Sequence, residues 1–302
     1  MPRLPDLEAL GIFARVVELR SFSAAAADLK LSKATVSKAI SRLETRLGAR
    51  LFNRTSRRLA LTETGGQLAE RAQRLLAEAE AAEDEILAHA GQPRGLVRLA
   101  SPMSFGLIEL APVLPEFLAQ HPEVSIDLHM SDDKIDLVGM GFDLALRIAD
   151  LPDSSLVARR IRPVERRVVA SPAYLERHGR PTHPSHLAEH PCLGYAYLPT
   201  PETWRFTGPH GEQVSVRPGG PLRANNAEAL LPALEAGLGL AVQPDFIVRD
   251  CLSDGRLVAV LPEWRSPPIA LHLVSPPGGP RPVRITALAD YLVRRLSGGK
   301  AH

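Results

Sequence analysis

The sequence predicts an α/β protein that carries a winged helix-turn-helix at its N-terminus and a long linker helix behind it. Three features lead there. Between residues 21 and 65 two helical segments meet at a tight turn and run into a basic-tipped hairpin. From Leu68 to His89 small and aliphatic residues recur at alternating spacings of four and three. Beyond Gly91-Gln92-Pro93-Arg94-Gly95, strand-like and helix-like segments alternate, the rhythm of an α/β domain with a largely parallel sheet.

Leu7, Leu10, Phe13 and Val17 mark a first helix, with Asp6 as its N-cap. Ala24 to Ala27 form a second, short helix whose small side chains let another backbone cross close by, and Leu29 and Leu31 supply the apolar corner. Phe22 fits the core better than a base-stacking surface, since no exposed aromatic residue repeats near it. Ser32 is a good N-cap for Lys33 to Leu47, where Val36, Ile40, Leu43 and Leu47 make one apolar stripe. The opposite face holds Ala34, Ser37, Lys38, Ser41, Arg42 and Thr45, small, hydroxylated and basic. Such a face suits a helix entering a major groove. Gly48 ends the helix, and Leu51 to Leu61 encloses the polar tip Asn53, Arg54, Thr55, Ser56, Arg57, Arg58, a wing aimed at the sugar-phosphate backbone. The residues expected against double-stranded DNA are Ser32, Lys33, Ala34, Thr35, Ser37, Lys38, Ser41 and Arg42, with Arg54, Arg57 and Arg58 of the wing.

Charge is distributed accordingly. Met1 to Thr62 holds 12 Lys and Arg against 5 Asp and Glu, whereas Glu63 to Gln92 holds 2 against 7, and the remainder is balanced. Only the first segment has the electrostatics of a polyanion binder. Thr62 caps a helix from Glu63 to about Ala90, whose Ala-rich seam of Leu68, Ala72, Leu75, Ala79, Ala82 and Ile86 favours close pairing with a second helix. His89 is the weakest seam position.

In the alternating part, Leu96–Ala100 reads as a strand, Phe105–Gln120 as a helix, Val124–Met130 as a strand, Ile135–Gly139 as a short helix and Asp143–Ile148 as a strand. Arg166–Ala170, Leu222–Ala224, a helix Ala227–Ala236, Leu240–Val242, a strand Ile269–Val274 and a helix Val283–Leu296 continue it.

Ala-Ala-Ala-Asp-Leu, Ser-Lys-Ala-Thr-Val-Ser-Lys-Ala-Ile, Leu-Glu-x-x-Leu-Gly, Leu-Phe-x-Arg and Leu-Thr-Glu-Thr-Gly fall in order between Leu7 and Gly65. Together they resemble the N-terminal domain of LysR-type transcriptional regulators. Asp143 to Ile148, Asp153-Ser-Ser-Leu-Val-Ala-Arg, Asn225-Asn-Ala-Glu-Ala and Ala236-Gly-Leu-Gly-Leu-Ala-Val-Gln-Pro-Asp are similar, more loosely, to that family's effector-binding domain. The resemblance implies a bilobed, periplasmic-binding-protein-like domain. The expected division is 1–62 for DNA binding, 63–92 for the linker and dimerisation helix, and 93–302 for the effector domain. Its lobe one is 95–164 with 266–296, and its lobe two is 165–265. It also implies a cytoplasmic homodimer, extending to a homotetramer, with RNA polymerase as a further candidate partner.

Ligands of open α/β sheets lie beyond the carboxyl ends of strands. Ser101, Met103, Ser104 and Phe105 after the first strand, Met130 and Ser131 after the next, Arg147, Asn225 and Gln243 are therefore the expected effector contacts. Hydroxyls and free backbone N–H groups there suit a carboxylate, and Met103, Phe105 and Met130 suit an apolar body. Arg147 fits an anionic effector and a structural ion pair equally well. The effector itself is unknown from sequence.

Other functions find less support. His186-Leu-Ala-Glu-His190 matches a zinc-peptidase pattern, but Pro184 and Pro191 leave it barely one and a half turns. Cys192 and Cys251 form no CxxC pair and fit structural roles. Neither a phosphate-binding glycine loop nor a serine nucleophile elbow occurs, and no cofactor or metal is expected. A polar N-terminus and the absence of an 18-residue apolar run argue against secretion, against a membrane span and against a transport solute-binding protein. The alternative that remains is a DNA-binding regulator whose C-terminal domain only oligomerises and senses no ligand.

Overall fold

The computed structural model describes residues 5–55, 58–88, 93–133, 135–150, 156–197, 202–277 and 281–298. It divides into two compact units. One gathers Met1–Pro93 with Asp136–Gly141 and Pro277–Ala287, and the other holds Arg94–Ile135, Phe142–Pro276 and Leu288–His302.

In the first unit, α1 (Leu7–Leu19) is capped by Asp6, whose carboxylate accepts from the Ala9 N–H at 3.0 Å. Ser21 caps α2 (Phe22–Asp28), and Arg15 ties the two helices together by donating to Asp28 at 2.6 Å. Ser32 Oγ accepts from the Thr35 N–H at 3.0 Å to start α3 (Lys33–Leu47), and Gly48 ends it at φ 65°, a left-handed conformation that glycine adopts without strain. Phe13, Ala25, Val36, Ile40, Leu43 and Leu51 are buried in a shared core. Of the four alanines of α2, Ala25 and Ala26 are buried in that core, whereas Ala24 and Ala27 are exposed. Leu47, assigned to the apolar stripe, is instead 47% exposed, and Ala39 is buried on that side of the helix.

A hairpin of β1 (Phe52–Thr55) and β2 (Arg58–Leu61) follows. Leu51, just before it, joins three elements. Its N–H donates to the buried Glu44 carboxylate of α3 at 2.9 Å, and its carbonyl accepts from the Thr62 N–H at 3.0 Å. Thr62 Oγ in turn caps α4 (Glu63–Ala88), accepting from the Gly65 N–H at 2.9 Å. A β-carbon on Gly65 would lie 2.1 Å from the Leu51 carbonyl oxygen, so glycine is required there. At 1.5 Å per residue α4 is about 39 Å long.

The second unit begins with β3 (Gly95–Ser101), α5 (Met103–Phe105), a π-helical turn Gly106–Leu110, a 3-10 turn Ala111–Val113 and α6 (Leu114–Gln120). The expected helix Phe105–Gln120 is present, every residue from Met103 to Gln120 being helical, but its hydrogen bonding passes through a π and then a 3-10 turn. At the start of the π turn Gly106 lies under the Met130 side chain, whose sulfur would sit 2.6 Å from any added β-carbon. β4 (Val124–Met130), β5 (Leu144–Ala149) and β6 (Val157–Val164) complete the strands that precede the second lobe. Residues 137–141 form a turn rather than the predicted short helix; Asp136 accepts from the Gly139 N–H and closes it.

Lobe two runs through β7 (Arg166–Ala170), α7 (Pro172–His178), β8 (Gly194–Tyr195), β9 (Trp204–Thr207), β10 (Gln213–Val216), β11 (Arg223–Ala224), α8 (Leu231–Glu235), β12 (Ala241–Pro244), α9 (Asp245–Ser253) and β13 (Val258–Val260). The chain then returns as β14 (Ile269–Ser275) and α10 (Val283–Ser297). The lobe-one sheet has the order β4-β3-β5-β14-β6, parallel among the first three strands and antiparallel around β14. In lobe two, β12-β7-β13 is antiparallel. The expectation of a largely parallel sheet therefore holds for only half of lobe one. The strands that carry the chain out to lobe two and back run against those they join, which alternation of elements alone does not reveal.

Candidate functional site

On α3, Ser32, Lys33, Ala34, Thr35, Lys38, Ser41 and Arg42 are exposed and Ser37 is half-buried, so the small, basic face points outward. Two of these residues also have work within the chain. Ser32 caps the helix, and Arg42 Nε donates to Asp6 at 2.7 Å while its outer nitrogen lies 3.8 Å from Glu8. Arg42 thus also ties α3 to the start of α1, while its side chain stays 56% exposed. Lys38 makes no such pairing with any described residue. In the wing, Arg54 and Arg58 belong to the paired strands, but their side chains, and Arg57 altogether, lie outside the described residues. Phe22 packs edge-on against Phe52, with ring centroids 5.5 Å apart, as a core residue should.

The dimerisation seam divides in two. Ala72 is buried and Leu68 half-buried in the core of the first unit, against α1, so these two seam residues are occupied within their own chain. A helix that must also close the winged domain turns its first apolar positions toward that domain. Leu75 is 49% exposed and Ala79 is exposed, so these two seam positions are open. The side chains of Ala82 and Ile86, and His89, lie outside the described residues.

In the second unit the carboxyl ends of β3, β4, β8 and β11 bring together side chains of both lobes. Asn226 of lobe two turns its carbonyl to its own 3-10 turn, accepting from the Ala229 N–H at 3.0 Å. Its amide then donates to Ser104 Oγ at 3.0 Å and to Asp132 at 2.8 Å, both in lobe one. Asp132's other oxygen accepts from the Met103 N–H at 2.9 Å. Alongside, the Tyr197 hydroxyl donates to Asp133, and Tyr195 meets Tyr197 edge-on at 6.0 Å. Burial and then the Asp132 charge push the Tyr195 phenol upward; Tyr197 is raised first by its bond to Asp133. Deeper between the lobes, Phe105 stands edge-on to Phe246 at 5.4 Å. Glu109 on the π-helical turn meets Arg249 of α9 at 2.9 Å and Arg162 at 3.5 Å.

Ser101, Met103, Ser104, Met130 and Ser131 lie at these strand ends, Ser101 and Ser104 being buried. Phe105 and Gln243 are fully buried. Gln243 is oriented by donating to the Ala227 carbonyl at 2.9 Å. Asn225 is exposed, and its neighbour Asn226 makes the contacts across the lobes. Arg147 donates to the Ile135 carbonyl at 2.7 Å, a structural use of its guanidinium. Asp132, two residues after β4 in the stretch Met130-Ser131-Asp132 where a ligand was expected, is the hub. Elsewhere His190 of the zinc-like pattern is bound to the Tyr174 hydroxyl at 2.8 Å. No cluster of metal-ligating residues occurs among the described residues. Cys192 and Cys251 are both buried and free, and burial pushes the Cys192 thiol up to about 12.

Residues 7–66 match the family of bacterial regulatory helix-turn-helix proteins of the lysR type, and residues 90–297 match the LysR substrate binding domain. The chain belongs to the LysR family of transcriptional regulators. An HTH-type transcriptional regulator of Xanthomonas campestris is 41% identical over 97% of this chain and 86% of its own length. Among solved structures, CrgA, a LysR-type transcriptional regulator from Neisseria meningitidis, is 35% identical with a TM-score of 0.62, covering 98% of this chain and 100% of that one. AphB, a virulence activator of Vibrio cholerae, is 30% identical with a TM-score of 0.61, covering 96% and 99%. As a LysR-type regulator the protein is a DNA-binding transcription factor rather than an enzyme, its α3 the recognition helix. No helix among the described residues is long and apolar enough to cross a membrane.

Proposed function

We propose that this LysR-type regulator binds an inverted-repeat operator as a dimer and that a small effector, held between the lobes of its C-terminal domain, modulates that binding or the promoter's activity. In this reading residues 1–62 meet DNA through α3 and the wing. Residues 63–92 pair the chains through the seam from Leu75 onward, and residues 93–302 receive the effector. Lys38 and the wing arginines are the cationic contacts, with Ser37 and Ser41 offering hydroxyls to base edges.

The observation that carries the effector reading is the Asn226 amide, which joins Ser104 and Asp132 across the lobes at the strand ends. A molecule inserted there must exchange these hydrogen bonds for its own, and so changes the free energy that ties one lobe to the other. Effector and operator are then linked through their different affinities for the two lobe arrangements. The test is a thermal-shift screen of small metabolites on the full-length protein, with each hit then added to an operator titration. A hit that stabilises the protein and changes operator affinity or footprint supports the reading. A domain that binds nothing, yet whose deletion abolishes assembly, would instead make it an oligomerisation module.

A further inference from the structure

Two donors at these strand ends are already engaged by the chain itself. The Met103 N–H and the Asn226 amide, contributed by different lobes, converge on the two oxygens of Asp132, at 2.9 and 2.8 Å. Ser104 Oγ accepts from the same amide, Ser101 Oγ donates to the Pro102 carbonyl, and Ser131 Oγ accepts from the Asp133 N–H. The nearest arginine of the sequence reading, Arg147, points its guanidinium at the Ile135 carbonyl. Beside them stand Asp132 and Asp133, the Tyr197 hydroxyl donating to Asp133 and Tyr195 lying edge-on to Tyr197.

We infer that Asp132 is the specificity-determining residue of the cleft. Its carboxylate fills the position that an effector's carboxylate would take, so the cleft selects molecules presenting hydrogen-bond donors, neutral or cationic, over anionic ones. This rests on the effector reading above and narrows its ligand class. The physical reason is twofold. An anion entering beside Asp132 meets a like charge at close range in a half-buried site, where screening by water is reduced. It also finds the donors that would have neutralised it, the Met103 N–H and the Asn226 amide, bonded elsewhere. A donor-bearing molecule meets the reverse situation, since a carboxylate oxygen accepts more than one hydrogen bond. Asp132 also acts as an internal ligand: while it bridges Met103 and Asn226, the lobes are tied together with nothing bound.

If Asp132 occupies a carboxylate position, removing its side chain leaves a space with two orphaned donors that a free carboxylate fills. The test is thermal unfolding of the full-length protein, and of Asp132→Ala and Asp132→Asn, with sodium acetate replacing sodium chloride at constant ionic strength. Asp132→Ala should unfold at lower temperature and be rescued saturably by acetate. At acetate about tenfold above its Kd the folded-to-unfolded ratio rises about elevenfold, a recovery of about 4 °C for a domain of this size. The unaltered protein and Asp132→Asn, whose amide fills the same space, should show no such recovery. Acetate stabilising the unaltered protein as much as Asp132→Ala would overturn the inference, as would Asp132→Ala gaining no more from acetate than Asp132→Asn. Should the alanine variant fail to fold, Asp132→Ser carries the same comparison. Acetate occupancy is read without DNA or effector, so a failure here leaves effector control of the operator to be judged by its own screen.

Discussion

Replacing Glu44 is the sharpest way to ask what holds the recognition helix to the wing. Its side chain is buried, and one oxygen accepts from the Leu51 N–H at 2.9 Å while the other lies 3.5 Å from Arg50. Arg50 is 71% exposed, so that ion pair contributes little in water. The hydrogen bond from a buried backbone N–H to a charged acceptor is worth about 1.5–3 kcal/mol. Glu44→Ala removes it and leaves the Leu51 donor unpaired in a core that also contains Leu51's own side chain. The expected cost is about 3 kcal/mol, the upper end of that range. Glu44→Gln keeps a carbonyl oxygen in place and should cost only about 1 kcal/mol, the difference between a charged and a neutral acceptor. Because the chain has two units, one denaturation midpoint would mix their stabilities. Amide hydrogen exchange of the peptide containing Leu51, measured on the full-length protein by mass spectrometry, isolates the effect. Protection should fall about a hundredfold for alanine and about fivefold for glutamine. Equal loss in both variants would show that the contact is a matter of shape rather than hydrogen bonding, and no loss in either would refute the reasoning.

Three other outcomes follow from the structure. Lys38→Ala should weaken operator binding by about 1–3 kcal/mol if it reads bases and leave the fold untouched; Arg42→Ala, shared with Asp6, should cost less affinity but loosen α1, and a titration plus hydrogen exchange over residues 7–19 separates the two. Leu75→Asp should break the helix pair, because burying an unpaired charge costs about 3–5 kcal/mol, while the winged domain, from whose core Leu75 is absent, stays folded; a fully dimeric mutant in the ultracentrifuge would move dimerisation elsewhere. Asp6 is held below its ordinary 3.8, first by the Ala9 N–H and then by the Arg42 guanidinium. The stability it contributes is present above that value and is lost as pH falls through the depressed folded-state value, so Asp6→Asn should flatten the acid limb of stability from 3.8 downward.

The winged domain was legible in sequence because its signals are local. Asp6, Ser32 and Thr62 as caps, Gly48 as a stop and the stripe of α3 each act within a turn of where they stand. What was missed there came from packing at longer range: nothing near Arg42 announces that Asp6, 36 positions earlier, will hold it. In the second unit most strands were placed, but not their directions, since order and polarity depend on partners such as β5 and β14, more than a hundred residues apart. The small elements of lobe two, β9, β10, α7 and α9, carry too little periodicity to stand out. The bonds across the lobes lie at the strand ends the sequence pointed to, and Asn226 and Asp132 make them. Asn225 and Asn226 cannot be told apart before it is known that one side chain, Asn226, both caps its own turn and reaches the other lobe.

The way α4 begins has a mechanical meaning. Ala69 and Ala72 are buried in the winged domain's core, Leu68 and Leu76 pack against it, and a β-carbon on Gly11 of α1 would sit 3.5 Å from the Leu76 side chain. The recognition helix and the first three turns of the shaft behind it are therefore one solid piece, without a swivel between reader and handle. Two such pieces clasped along the free part of the seam would hold their recognition helices at a separation and tilt fixed by the crossing of the shafts. Which operators the regulator tolerates would then become a question about that crossing angle.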